Sequence, residues 1–144
     1  MKIKKIYSDA KIPTKGSAEA AGLDLYAYLD ELESITLRPH QSVVVNTGIA
    51  VEIPKGNFGG IYARSGLACK QGLRPANCVG VIDSDYRGEI LVCLRNDSDI
   101  EQTFYNGDRI AQLVIQPYTE VELVEVDELD NTERGKGGFG SSGK

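Results

Sequence analysis

The chain has 144 residues, 41% hydrophobic and 26% charged, which fits one globular domain with a core large enough to fold alone. Its net charge of −5 argues against long nucleic acid as a partner, because a phosphate backbone rewards a basic face. No apolar run approaches the ~20 residues that span a bilayer, and no signal-peptide core follows Met1, so a cytoplasmic protein without a membrane role is expected.

The expected elements follow a period of two. Strands are predicted over residues 2–7, 23–29, 34–37, 42–45, 49–53, 58–63, 79–82, 89–95, 110–116 and 121–126. Within 89–95, Ile90, Val92 and Leu94 share one face. Within 110–116, Ala111, Leu113 and Ile115 oppose Ile110, Gln112 and Val114. Pro39, Gly48, Gly56, Gly107 and Pro117 punctuate these runs, a pattern that points to a sandwich or barrel. One short helix is predicted over 65–70, with Ser65 as its N-cap. After Asp130 the chain becomes glycine-rich, so a β domain over 1–130 and a flexible arm over 131–144 are expected.

The side-chain inventory limits the chemistry. His40 is the only histidine and stands beside Pro39, which leaves no Ser-His-Asp triad within one chain and no multi-His zinc site. Cys69, Cys78 and Cys93 are odd in number and lack metal-ligand spacing, so buried, reduced thiols are expected. Acid–base work must then fall to Asp, Glu, Lys or Tyr.

Five segments could carry that work. In AGLDLYA (21–27), Asp24 interrupts an apolar strand and needs a metal-bound water, a donor or solvent; a solvated strand face is the plainer account. In ARSGLA (63–68), a strand ends and Arg64-Ser65-Gly66 opens a helix whose first N–H groups suit an anion, unless this is an ordinary cap. In GVIDSDYRGEI (80–90), an apolar strand runs into Asp83, where a carboxylate can face a cleft and polarise a water. Asp83 and Asp85 share a face if that strand persists; the alternative is a polar hairpin turn. In GDRIAQL (107–113), a turn feeds a strand whose Gln112 faces the same cleft or simply edges the core. The tail offers glycine N–H groups, Ser141, Ser142, Arg134 and Phe139 to an anion and a base, or is a flexible end without a role.

Taken together and in this order, AGLDLYA, ARSGLA, GVIDSDYRGEI, GDRIAQLV and RGKGGFGSSG resemble the five motifs of the trimeric dUTP pyrophosphatases, or dUTPases, from residue 21 to 144. The resemblance implies an all-β subunit, a jelly-roll-like distorted barrel with one short helix and a flexible C-terminal arm. It implies a homotrimer whose active sites are shared between subunits and closed by the arm. The implied reaction converts dUTP and water to dUMP and pyrophosphate with Mg²⁺, limiting uracil incorporation into DNA and supplying dUMP for thymidylate synthesis. By motif position, Asp83 is the implied base that activates the attacking water. Tyr86 is implied to pack under the deoxyribose. Asn77 would read the uracil edge, helped by the backbone of Gly80, Val81, Ile82 and Leu91. Arg64, Ser65, Gly66 and Gln112 would hold phosphates, and Arg134, Phe139 and Gly140 would close over the γ-phosphate and base. Asp24 is implied near the metal, through water, or in its supporting network. Ala63 stands where the family often has proline, and Lys136 falls in a variable tail. A dCTP deaminase-like enzyme on the same fold is disfavoured by the intact Asp-x-Asp-Tyr, and a non-catalytic nucleotide sensor by the retained Asp83 and arm.

Overall fold

The computed structural model describes residues 1–138. Among them run twelve strands and one helix: β1 (Lys2–Lys5), β2 (Thr14–Lys15), β3 (Leu23–Tyr26), β4 (Ser34–Leu37), β5 (Ser42–Asn46), β6 (Ile49–Glu52), β7 (Asn57–Tyr62), α1 (Ser65–Gln71), β8 (Leu73–Pro75), β9 (Gly80–Ile82), β10 (Leu91–Asn96), β11 (Gln102–Tyr105) and β12 (Arg109–Pro117). Every pairing is antiparallel. A five-stranded sheet in the order β2-β3-β12-β7-β9 faces a three-stranded sheet, β5-β10-β8, with the pairs β1-β6 and β11-β4 alongside. The all-β class is as expected, but the sheets do not close into one barrel. The short strands end within a few residues, and consecutive strands such as β9 and β10 join different sheets.

Alternation builds the core where a strand has one wet face. In β10, Val92, Leu94 and Asn96 are buried while Leu91 is exposed and Cys93 and Arg95 are half-buried. β12 breaks the expected rule. Its register against β3 shifts between Arg109 and Ala111, so Ile110 and Ala111 are both fully buried rather than opposed. A bulge adds one residue and re-aims the side chains after it. Phe104 of β11, Leu25 of β3 and Leu73 of β8 complete the same core, each worth about 1.5–3 kcal/mol of burial.

Three strands escaped the pattern: β2, β8 and β11 are each four residues or fewer. β8 ends on Pro75, which its position at a sheet edge tolerates. In the other direction, the expected strand over 121–126 does not form, and Leu123 is 91% exposed. Its alternating apolar residues find nothing to pack on within the described chain.

Asn96 is the polar residue at the centre of the core edge. Fully buried, it donates from Nδ2 towards Leu37 O (3.1 Å), Arg38 O (3.3 Å) and Ile100 O (2.7 Å), and its Oδ1 accepts from Ser98 N–H and Oγ–H. One amide thus joins the end of β4 to the β10–β11 connection. Asn96→Ala strands those groups without partners and is expected to cost about 3 kcal/mol, read as a lowered urea midpoint. Asn96→Asp should be no milder, because its oxygens then face backbone carbonyls.

Candidate active site

The expected residues gather in two clefts. The first forms around Asp24 on β3, opposite Gln112 of β12 and Thr14 of β2. Asp24 is buried, and both its oxygens are engaged: Oδ1 accepts from Arg64 Nε at 2.8 Å and Oδ2 from Arg109 Nη1 at 3.2 Å. The partner that a buried carboxylate needs is therefore a pair of guanidinium groups. Arg109 was not singled out from the sequence; its signal was a cation opening the strand that also carries Gln112.

Arg64 reaches Asp24 because it is the N-cap of α1, with extended backbone (φ −86°, ψ 127°). This corrects Ser65, which is the first helical residue instead, and no side chain caps the helix. The first intrahelical bond runs from Ala68 N–H to Arg64 O at 2.9 Å. The N–H groups of Ser65 and Gly66 precede it and have no partner inside the helix. Gln112 donates from Nε2 to Ala63 O at 2.8 Å, and its Oε1 lies over Gly22, where a Cβ would collide with it. Asp24, Arg64, Ser65, Gly66, Arg109 and Gln112 line a cleft of about 220 Å³.

The second cleft lies at the far edge of the five-stranded sheet. β9 stops at Ile82, and a turn closed by Tyr86 N–H to Asp83 O at 3.2 Å follows at once. Asp83 and Asp85 are thus turn residues, not neighbours on one strand face. The segment is not a hairpin either, since β9 pairs with β7 while β10 pairs with β5 and β8. The Tyr86 hydroxyl donates to Glu89 O at 2.9 Å, and its ring lies so close over Gly88 that a Cβ there would clash. Arg87 holds the turn by donating to Ser84 O at 2.7 Å, and Glu89 Oε1 accepts from Gly48 N–H at 2.7 Å.

Asp83 is exposed at a cleft of about 230 Å³, lined also by Val81, Ile82, Tyr86, Glu89 and Leu91. A narrower recess of about 110 Å³ shares Val81, Ile82 and Leu91 with it and adds Asn77, Gly80, Ile61 and Cys93. A Cβ on Gly80 would lie 3.2 Å from both Asn77 Nδ2 and Ile61 Cβ, so glycine keeps room for that amide.

The cleft around Asp24 and Arg64 and the cleft at Asp83 with its recess share no lining residue. β3 and β9 stand three strand spacings apart in their sheet, about 14 Å. Arg134 is exposed, donates to Gly137 O at 3.0 Å, and lines neither cleft. Phe139 and Gly140 lie outside the described residues. The cysteines are free but not buried as expected: Cys69 and Cys78 are exposed and Cys93 is half-buried. Cys69 sits on a helix that buries none of its residues, and Cys78 sits on a turn. Among the described residues no three His, Cys, Asp or Glu side chains converge as a metal cage. Nor is any described helix long and apolar enough to cross a membrane.

Removing Asp24 leaves two guanidinium groups facing each other without a counter-ion. Asp24→Ala is expected to lower stability by about 3 kcal/mol in chemical denaturation. Arg109→Ala should cost less, because that side chain is 49% exposed.

Comparison with known proteins agrees with this arrangement of segments. The family model described as dUTPase matches residues 8–143. The deoxyuridine 5'-triphosphate nucleotidohydrolase of Hydrogenobaculum sp. (strain Y04AAS1) is 49% identical over 141 residues, covering 98% of this chain and 96% of that protein. The enzyme of the same name from Candida albicans is 48% identical, covering 93% and 82%. The Staphylococcus bacteriophage 80alpha dUTPase, solved with dUpNHpp, superposes with a TM-score of 0.87 at 30% identity over 99% of this chain and 98% of that one. A phage phi11 dUTPase described as coordinating a structural Mg(II) ion superposes with a TM-score of 0.78 at 26% identity, over 90% of this chain and 98% of that one. With its five segments in order, its two clefts and a family match that spans them, the chain belongs to the dUTPase family.

Proposed function

We propose that this chain hydrolyses dUTP to dUMP and pyrophosphate in the cytoplasm, with Asp83 as the base. The observation that carries the reading is the Asp83 carboxylate, exposed at the mouth of a cleft that continues into the Asn77 recess. In this reading uracil enters the recess, where the Asn77 amide offers a donor and an acceptor to one base edge. The Gly80, Val81 and Ile82 backbone supplies the wall. A methyl group in a pocket is worth only ~10–200-fold in selectivity, so rejection of thymine depends on how rigid that wall is. Cytosine presents a donor where uracil presents an acceptor and would leave buried groups unpaired, a larger penalty.

In this reading Tyr86 packs under the deoxyribose and crowds a 2′-hydroxyl, and its hold on Glu89 O and over Gly88 supports that role. Asp83 then orients a water and takes its proton as the water oxygen bonds to the α-phosphorus. The bond from that phosphorus to the bridging oxygen breaks, and pyrophosphate leaves. Such a reaction needs chiefly an aligned nucleophile and neutralised charge. Arg64, Ser65, Gly66 and Gln112 hold the phosphates. Asp24 serves as the counter-ion that sets Arg64 and Arg109, inside the network around the metal.

The buried Asp24 carboxylate, held by Arg64 and Arg109, suits a supporting role beside Mg²⁺ bound mainly through triphosphate oxygens and water. When bound, that ion would offset charge on the phosphate oxygens.

The separation of the two clefts supports a site completed between copies in a homotrimer. Exposed Val44, Val81 and Leu91 are apolar surface suited to such a contact. In this reading the domain over 1–130 is the subunit body. The arm over 131–144 reaches another subunit's site, where Arg134, Phe139 and Gly140 close over the γ-phosphate and base.

Pyrophosphate release measured with dUTP, dTTP, dCTP and UTP should show strong preference for dUTP. Asp83→Asn is expected to lower kcat by about 10²–10⁴-fold while nucleotide binding persists. Near-normal turnover by that variant would remove Asp83 from the role of base. Deleting residues 134–144 should leave the thermal transition in place and abolish most turnover; a fully active truncated chain would end the closing-arm account.

A further inference from the structure

The turn that presents Asn77 is held in a backbone state that side chains avoid. Cys78 has φ +61°, and Val79 N–H donates across it to Asn77 O at 2.6 Å. Cys78 N–H in turn donates to Pro75 O at 3.2 Å. A tight i→i+2 turn at positive φ is unfavourable for a residue with a Cβ and persists only when its surroundings impose it. Arg74 supplies the imposition. Its Nη1 donates to Pro75 O at 2.9 Å and lies 3.6 Å from Cys78 Sγ, while its Nε donates to the Asp97 carboxylate.

Arg74 is directly opposite Arg95 across the β8–β10 ladder, and like charges there repel. Asp97 resolves the conflict by accepting from both, from Arg95 Nε at 2.7 Å. The Arg95 hydrogen bond, with Arg74 behind it, holds the Asp97 carboxyl below the usual carboxylate range. Asp97 is itself tethered by its N–H to Gly72 O at 2.9 Å, at the end of α1. The guanidinium therefore connects a fixed anion to the turn that carries the base-reading amide.

We propose that Arg74 is a positioning residue for base selection, locking the 75–78 turn so that the Asn77 amide stays over Gly80 at the recess. This rests on the reading of Asn77 as the residue that meets uracil. Arg74 and Asp97 are each about one-third exposed, so the ion pair by itself adds little to stability, and its effect falls on recognition.

The test is steady-state kinetics of the full chain with dUTP and dTTP. Arg74→Met is expected to raise KM for dUTP about tenfold, leave kcat within about twofold, and lower the dUTP-over-dTTP preference about tenfold. Arg74→Lys should not restore KM, because a point charge cannot replace the fork. Asp97→Asn should move KM the same way, and adding it to Arg74→Met should do little more. Unchanged KM and preference in Arg74→Met, or a fall in kcat alone that is equal for both nucleotides, overturns the proposal. If Arg74→Met does not fold, unchanged KM in Asp97→Asn overturns it equally. Asn77→Ala separates the two levels. Should it leave base preference intact, the Asn77 reading itself fails; should it abolish preference while Arg74→Met does not, only the role of Arg74 fails.

Discussion

A buried carboxylate between two guanidinium groups organises the Arg64 cleft of this molecule. Asp24 lies on β3, Arg64 at the junction of β7 and α1, and Arg109 at the start of β12. Unit charges about 4 Å apart interact by about 4 kcal/mol at an effective dielectric of 20, so neither arginine is free to drift. The same attraction is partly spent on desolvating Asp24, which makes the cluster a device for geometry more than for stability. It also allows two cations to share one small cleft. Without Asp24 they would repel, and the cleft would lose its shape together with its field.

The Asp83 cleft and the Asn77 recess are built on the opposite principle. There the main parts are backbone: a strand that stops at Ile82, a closed turn at 83–86, and a strained turn at Cys78. Charged residues act at a distance from the recess, through Arg87 on Ser84 O and Arg74 on Pro75 O. Discrimination between bases that differ by one methyl requires a wall that does not yield. Backbone held by several hydrogen bonds yields less than a rotatable side chain, so the recess takes its rigidity from main chain, with Arg74 and Arg87 bracing it from outside.

What could be read from the sequence followed what the sequence encodes locally. The one-sided burial of Ile90, Val92 and Leu94 was visible because a strand with one wet face writes period two. The bulge beside Ile110 was not, since an extra residue leaves no mark in composition. β8 was hidden by Pro75, and β2 by having only two residues. That Asp24 needed a partner was legible from burial in an apolar run; which residues answer it depends on a helix N-cap 40 positions away and a strand residue 85 positions away. The N-cap was misplaced by one because Ser65 is the better capping type, while the backbone reserves that position for the arginine that must reach Asp24. Placing Asp83 at the end of a strand was sound, and only the turn after it broke the shared face with Asp85.

The false strand over 121–126 carries a further lesson. Alternation records that a segment was selected to bury one face; it does not say against which chain. Here Val121, Val124 and Val126 stay 54–73% exposed, and six acids stand among residues 120–130. Removing those six negative charges from the net −5 leaves the rest of the chain at +1. The acidity that disfavours nucleic acid thus belongs mainly to the segment leading to the arm, and the remainder of the body, residues 1–119, which bears both clefts, is close to neutral with 13 basic against 14 acidic side chains. A triphosphate approaching the body meets no general repulsion, and the local cations of Arg64 and Arg109 dominate at short range. In the proposed trimer the same segment would gain a covering for its apolar side chains only by lying on a neighbour. Burial of that face and delivery of the arm would then be one event, so assembly and completion of the site are coupled by the hydrophobic effect rather than by any residue of the chemistry.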